Sequence, residues 1–165
     1  MNGPIPALPA WMVLLRLSAA TVVGCVIGLN RELCGKPAGM RTHGLVSLGA
    51  ALITVASLDL AGAEAAAVLR TVQGIMAGIG FLGGGVIMRD ESHQSVHGLT
   101  TAASVWVVAA LGIACGAGQW ATSVIAVVIT LALLVLGEKV EYKLRLKRNP
   151  TVTHTSSTQG QTPRL

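Results

Sequence analysis

Residues 71–88 have the sequence TVQGIMAGIGFLGGGVIM, a run without a charged side chain that decides the fold. Three of its glycines, Gly78, Gly80 and Gly83, match the GxGxxG fingerprint of dinucleotide-binding turns. That fingerprint follows a strand, opens a helix and precedes an acidic residue by about 20 positions. Here the glycines lie inside an apolar run and two alanines occupy that distance. Because the run is long enough to cross a bilayer core of about 30 Å as a helix, it predicts a transmembrane segment.

Four further apolar runs flank this segment, at residues 8–29, 44–60, 99–117 and 119–137. Each is close to the roughly 17–25 residues that a membrane-spanning helix needs. The chain is 52% hydrophobic and 12% charged, with a mean hydropathy of +0.67, whereas about 25% of the residues in a soluble domain are charged. The sequence therefore predicts an all-α fold, an integral membrane bundle of about five transmembrane helices.

The positive charges lie mostly on one side of these runs. If five spans alternate in direction, ten of the twelve Lys and Arg residues share that side: Arg31, Lys36, Arg41, Arg89, Lys139, Lys143, Arg145, Lys147, Arg148 and Arg164. An excess of Lys and Arg in short loops marks the cytoplasmic side of a membrane protein. The pattern predicts an N-terminus outside and a C-terminus in the cytoplasm.

The chain changes character after the fifth run. Residues 138–148 are rich in Lys and Arg, which predicts a basic juxtamembrane helix that meets anionic headgroups. Residues 151–165 are rich in Ser, Thr, Gln and Gly and have almost nothing to bury, which predicts a disordered tail. We therefore expect a transmembrane domain at residues 1–137 and a cytoplasmic helix with a tail at residues 138–165.

Several functional classes are disfavoured. The net charge of +5 comes from bases gathered in short segments beside apolar runs, so nucleic acid is not a predicted partner. His93 and His97 have the spacing of helical metal ligands, but they lie in a short polar connector, so no metal site is predicted. No cofactor is expected either. Ser104 has no adjacent base and Cys115 lies in an apolar run, so we do not expect an enzyme.

Glycines four residues apart recur in three of the runs. In lipid, helices associate where small residues let their backbones approach closely, so this spacing predicts tight helix packing. The pairs are Gly24 with Gly28, Gly74 with Gly78, Gly80 with Gly84, and Gly112 with Gly116. The consecutive glycines at 83–85 leave a second interpretation open, a broken helix that lines a polar cavity.

Some polar side chains fall within or beside the apolar runs. Arg16 must either snorkel to the surface or pair within the bundle, because an isolated charge in hydrocarbon is costly. Asp59 and Glu64 could face a divalent cation, although solvated carboxylates are the favoured interpretation. Interhelical hydrogen bonds are favoured for the remaining polar groups, with His97 expected on the same helical face as two of them: Gln73, Thr100, Thr101 and Ser104.

Three blocks in one order resemble the MgtC/SapB family of bacterial inner-membrane proteins. They are GLNRE at 28–32 with KPAGMRTHGLV at 36–46, QGIMAGIGFLGGGVI at 73–87, and GLTTAASVW at 98–106. The likeness covers residues 22–118 and implies a five-helix hydrophobic domain in the cytoplasmic membrane of a bacterium. Asn30 stands where many family members carry a glutamate at the edge of the membrane. Any role of such an acid would therefore fall to Glu32 in this chain.

The resemblance, together with the glycine spacing for Gly74 and Gly78, implies two sets of functional residues. A charged network at the inner ends of the spans would contain Arg31, Glu32, Arg41, Thr42 and Arg89. A helix-packing or cavity-lining set would contain Gln73, Gly74, Gly78, Gly80, Gly83, Gly84, Gly85, Thr100, Thr101 and Trp106. Ordinary anchoring by positive charges on the cytoplasmic side remains an alternative for the first set.

Two functional hypotheses follow. The resemblance implies adaptation to low magnesium and survival inside host cells, and the small size and glycine faces favour an accessory or regulatory protein acting on a larger membrane complex. Its partners would be the lipid bilayer and a membrane protein, or further copies of itself. The alternative is a transporter or channel for a divalent cation such as magnesium, in which Glu32, Gln73 and the carbonyls of residues 83–85 line a continuous polar cavity.

Overall fold

Five long helices dominate the computed structural model, which describes residues 8–61, 64–90 and 95–148. Each contains a segment that is long and apolar enough to cross a membrane. The predicted all-α membrane bundle is therefore confirmed. In chain order the helices are α1 (Ala10–Leu33), α2 (Met40–Ala61), α3 (Ala65–Val86), α4 (Leu99–Gly116) and α5 (Trp120–Arg148).

The connection between α1 and α2 is shorter than predicted. The basic loop expected at residues 30–41 is reduced to a tight turn, because α1 continues to Leu33 and α2 already begins at Met40. Gly35 supplies a positive φ of 64° inside this turn. Polar residues at a helix end can extend into the interfacial region, so the helices run past the limits of the apolar sequence.

A short hairpin separates α3 from α4. Its strands β1 (Met88–Asp90) and β2 (Ser95–His97) pair antiparallel. Because His97 lies in β2 and α4 begins only after Gly98, the expectation that His97 shares a helical face with residues of α4 is wrong. Gly98 has a φ of 90°, and a Cβ there would meet the backbone oxygen of Val86. His93 lies outside the described residues.

The centre of the bundle is formed by α1, α2 and α4, each of which packs against the other two, while α3 packs against α2 and α4. Within the apolar window of each span, 56% of α4 is buried but only 6% of α3. The buried residues that pack together are mostly small: Ala50, Ile79, Val105 and Ala109 in one cluster, and Ala20, Ala51 and Cys115 in another.

Glycines bring the three central helices into backbone contact. A Cβ on Gly116 of α4 would lie 2.8 Å from the backbone oxygen of Ala51, and a Cβ on Gly24 of α1 would lie 2.5 Å from that of His43. Both contacts are shorter than ordinary carbon–oxygen packing distances. The close approach expected from the glycine spacing is therefore present where α1 and α4 meet α2.

The chain divides into two compact units, Met1–Leu131 and Ala132–Leu165. Helix α5 crosses this boundary and continues to Arg148, so the basic helix predicted at residues 138–148 is present. The predicted tail at residues 151–165 lies outside the described residues.

Candidate functional site

Four polar side chains from three helices meet at the end of the bundle that carries the α1–α2 turn. Arg31 donates from Nη2 to Thr101 Oγ1 over 3.2 Å, and His43 Nε2 lies 3.0 Å from Ser104 Oγ. Each of the four is at most 3% exposed. Ionisable groups within membrane spans are rare and costly unless they are paired, so this polar cluster is the first candidate site.

The hydrogen positions within the polar cluster are constrained. His43 Nδ1 lies 3.0 Å from the carbonyl oxygen of Gly39, which can only accept, so Nδ1 carries a proton. In a neutral ring Nε2 is then an acceptor. The single hydroxyl proton of Ser104 has two possible acceptors, His43 Nε2 and the Thr101 carbonyl oxygen at 2.8 Å. Rotation of one hydroxyl can therefore make or break a hydrogen bond between α2 and α4.

Glu32 follows Arg31 in sequence, but its side chain binds the start of α2 and stabilises the α1–α2 turn. Its Oε2 accepts a hydrogen bond from the backbone N–H of Met40 over 3.0 Å. This N–H belongs to the first turn of α2 and has no acceptor within the helix, so the carboxylate caps it and complements the positive end of the helix dipole. A Cβ on Gly39 would lie 2.6 Å from Oε2, so glycine leaves the space for this cap.

The other members of the predicted charged network do not join the polar cluster in the part of the chain that the structure describes. Arg41 and Thr42 are exposed. Arg89 lies in β1, and its side chain is not among those described. Arg31 instead forms a hydrogen bond with Thr101, a residue of the predicted packing set. The network as a whole remains a prediction.

Four glycines of helix α3 lie on two sides of the helix. Gly78 and Gly80 point about 200° apart, because successive residues of an α-helix turn by about 100°. Gly74 and Gly78 line a groove against α2, while Gly80 and Gly84 are exposed on the other side. A Cβ on any of the four would meet nothing within 4 Å. These four positions therefore have room for a side chain within the described structure, unlike the glycines at which α1 and α4 contact α2.

The remaining residues of the packing set differ in their surroundings. Gly83 faces α4, where a Cβ would lie 3.7 Å from Ala102 Cβ. Helix α3 runs without interruption to Val86, so the interpretation of a broken helix at residues 83–85 is wrong. The other four are exposed: Gln73, Gly85, Thr100 and Trp106.

At the opposite end of the bundle, Arg16 is paired within the protein. Its Nη1 donates to the carbonyl oxygen of Gly116 over 2.8 Å, at the C-terminus of α4, where a cation complements the helix dipole. The two acidic side chains predicted at this end, Asp59 and Glu64, also have polar partners. Asp59 accepts from the backbone N–H of Leu8 over 3.3 Å, and Glu64 lies 3.7 Å from Arg70 Nη2.

Sequence reasoning missed His43. A signal was available, since His43 is a titratable residue directly before the apolar run at 44–60 and stands within the block KPAGMRTHGLV. Its partners could not be deduced from spacing, because Ser104 is 61 residues away along the chain.

Five apolar helices, a paired polar cluster between three of them and small residues on the exposed side of α3 define a polytopic α-helical membrane protein. The chain belongs to the MgtC family, whose model matches residues 17–143. This membership confirms the resemblance found in the three sequence blocks.

Curated relatives include SrpB from Synechococcus elongatus, 44% identical over 75% of this chain and 74% of SrpB. MgtC from Salmonella typhimurium is 39% identical over 74% of this chain and 51% of MgtC. YhiD from Escherichia coli K12, whose name proposes magnesium transport, is 34% identical over 81% of this chain and 64% of YhiD. The match thus spans about half of MgtC. No solved structure matches the chain.

Proposed function

We propose that this protein is a small accessory membrane protein that regulates a larger membrane complex by docking α3 against a transmembrane helix of that complex. The observation that carries the proposal is a stripe of polar and small residues along the exposed side of α3: Gln73, Ala77, Gly80 and Gly84. We call these four residues the α3 stripe. Their positions i, i+4, i+7 and i+11 place them on one helical face.

The composition of the α3 stripe suits a helix partner. Small residues let two backbones approach closely in lipid, where contact between helices depends on packing and not on the hydrophobic effect. All four residues are exposed, and only 6% of the apolar window of α3 is buried. The stripe is therefore available for contact with another helix.

Gln73 adds a polar reason for docking. It lies near the middle of α3, and its amide makes no hydrogen bond within the part of the chain that the structure describes. An amide without a partner is costly in an apolar medium, whereas an interhelical hydrogen bond contributes about 1–2 kcal/mol in model peptides. A polar group of the partner helix opposite Gln73 would satisfy the amide.

The accessory role includes no reaction and no transported ion of its own. Transport would need a polar path, and the two cavities described between α2 and α3 are not lined by Glu32, Gln73 or the glycines at 83–85. The physiology that the MgtC/SapB resemblance implies, adaptation to low magnesium and virulence, would then arise from the regulated complex.

The proposal is tested by affinity purification of the tagged protein from native membranes in mild detergent. We expect wild type to retain a larger complex and Gly80→Leu to lower its recovery by at least about tenfold, because a bulky side chain blocks close helix approach. Gly78→Leu is the matched control on the opposite side of the same helix and should retain the complex. Both glycines face open space, so neither variant should disturb the fold.

Two results would contradict the accessory role. The first is a clean homo-oligomer without a partner in wild type and in both variants. The second is saturable magnesium uptake by vesicles that hold only this protein, lost in Glu32→Ala. The latter result would favour the transport alternative.

We further propose that the protein lies in the cytoplasmic membrane of a bacterium with its N-terminus outside and its C-terminus inside. Five candidate spans support termini on opposite sides, and the excess of Lys and Arg on one side supports this direction. A reporter fused after Arg148 should be active only if it is of the type that works in the cytoplasm. A reporter inserted beside Glu64 should be active only in its exported type, and the reverse pattern would overturn the orientation.

A further inference from the structure

Two cavities between α2 and α3 form one groove. The first, of about 390 Å³, is mostly apolar, and it is lined by Gly49 of α2 on one wall and by Gly74 and Gly78 of α3 on the other. The second, of about 490 Å³, lies toward the α2–α3 connection, and the two share Ile53 and Thr71 in their walls. The groove therefore runs from the middle of the bundle to one of its ends.

The groove changes in polarity along its length. Its inner part has only aliphatic side chains and glycines besides Thr71. Its mouth carries Ser57 and Thr71, whose hydroxyl oxygens lie 2.9 Å apart, and Glu64. Arg70 stands at the rim, with Nη2 3.7 Å from Glu64 Oε1. One end thus presents charges of both signs, and the other presents none.

We propose that this groove binds a zwitterionic aminophospholipid, with an acyl chain along Gly49, Gly74 and Gly78 and the headgroup at the mouth. The guanidinium of Arg70 would bind the phosphate, and the carboxylate of Glu64 would bind the ammonium group. Both side chains are largely exposed, at 71% and 66%, so they are free to turn to a headgroup. An anionic headgroup would meet the repulsion of Glu64.

The change from an apolar inner part to a charged mouth favours a lipid over a protein helix as the occupant of the groove. A docking helix needs small residues and contacts along its whole length, as the α3 stripe offers, but it has no reason to place paired charges of opposite sign at one end. A lipid has an apolar chain and a charged head in that order. The proposal is independent of the proposed function, because the two sites lie on different sides of α3.

Native mass spectrometry of the purified protein tests the site, using phosphatidylethanolamine and phosphatidylglycerol with identical acyl chains. We expect one retained phosphatidylethanolamine, bound about tenfold more tightly than phosphatidylglycerol, the change that one charge-assisted hydrogen bond supports. Glu64→Gln should abolish this preference while the acyl chain still binds, because Glu64 faces the ammonium group that only phosphatidylethanolamine carries. Arg70→Gln should weaken retention of both lipids, because both carry the phosphate.

Variants of the groove and of the stripe separate the two proposals. Gly78→Leu fills the groove and should abolish retention of both lipids, as should Gly49→Leu from the opposite wall. Gly80→Leu should retain the lipid and lose the protein complex. Equal binding of both lipids that is insensitive to Gly78→Leu would identify nonspecific lipid around the protein and overturn the proposal, as would a protein helix cross-linked in the groove.

Discussion

Gly112→Ala should be among the most destabilising single changes in this chain, although it adds only one methyl group. The new Cβ would meet the backbone carbonyl of Ser47 and would lie 3.0 Å from Ala50 Cβ. Neither atom can move away without displacing α2 from α4. Overpacking of this kind costs about 1–3 kcal/mol, and a clash with backbone belongs at the upper end of that range.

The matched control for Gly112→Ala is Gly80→Ala, the same substitution in another membrane helix. Nothing lies within 4 Å of a Cβ at Gly80, so the free energy of unfolding should be unchanged or slightly higher, since alanine favours a helix over glycine. The free energy of unfolding in detergent micelles, measured by denaturant titration, compares the two variants. Equal stability of Gly112→Ala and Gly80→Ala would disprove the backbone contact between α2 and α4.

The contrast between these two glycines marks the limit of sequence reasoning. Both belong to glycine pairs with a spacing of four, Gly112 with Gly116 and Gly80 with Gly84. The spacing defines a face on one helix and carries no information about what lies opposite. In the structure one pair contacts α2 and the other faces open space. Which glycines hold the bundle together depends on tertiary packing alone.

The transmembrane spans were predictable for a physical reason. Backbone polar groups in lipid must be satisfied within the chain, so every long apolar run has to become a helix. Five such runs gave five helices. Helix ends were less predictable: α3 begins at Ala65 although the expected span began at residue 71, because the charged Arg70 interrupts the apolar run without interrupting the helix.

The polar cluster was only partly predictable. Thr101 and Ser104 were expected to form interhelical hydrogen bonds, and the structure gives both of them partners on other helices. Those partners are 70 and 61 residues distant along the chain. A periodic pattern on one helix cannot select among the polar residues of the others, so the pairing of Arg31 with Thr101 required the fold.

Arg31→Ala should be the second highly destabilising change. Arg31 is 1% exposed and is the largest fully buried side chain in the described part of the chain, so truncation to alanine leaves a cavity at the junction of α1 and α4. It also removes the donor that faces Thr101 Oγ1. Large-to-small changes in a core cost about 2–5 kcal/mol, to which the lost hydrogen bond from a charged group adds.

The matched control is Arg41→Ala, which removes the same side chain from an exposed position ten residues further along the chain. Its free energy of unfolding should stay within about 0.5 kcal/mol of wild type, as is usual for surface changes. Arg31→Met separates volume from charge, because it fills most of the space without a donor. If Arg31→Ala were as stable as Arg41→Ala, Arg31 could not be a packed member of the polar cluster, and the joining of α1 to α4 at this end of the bundle would have to rest on other contacts.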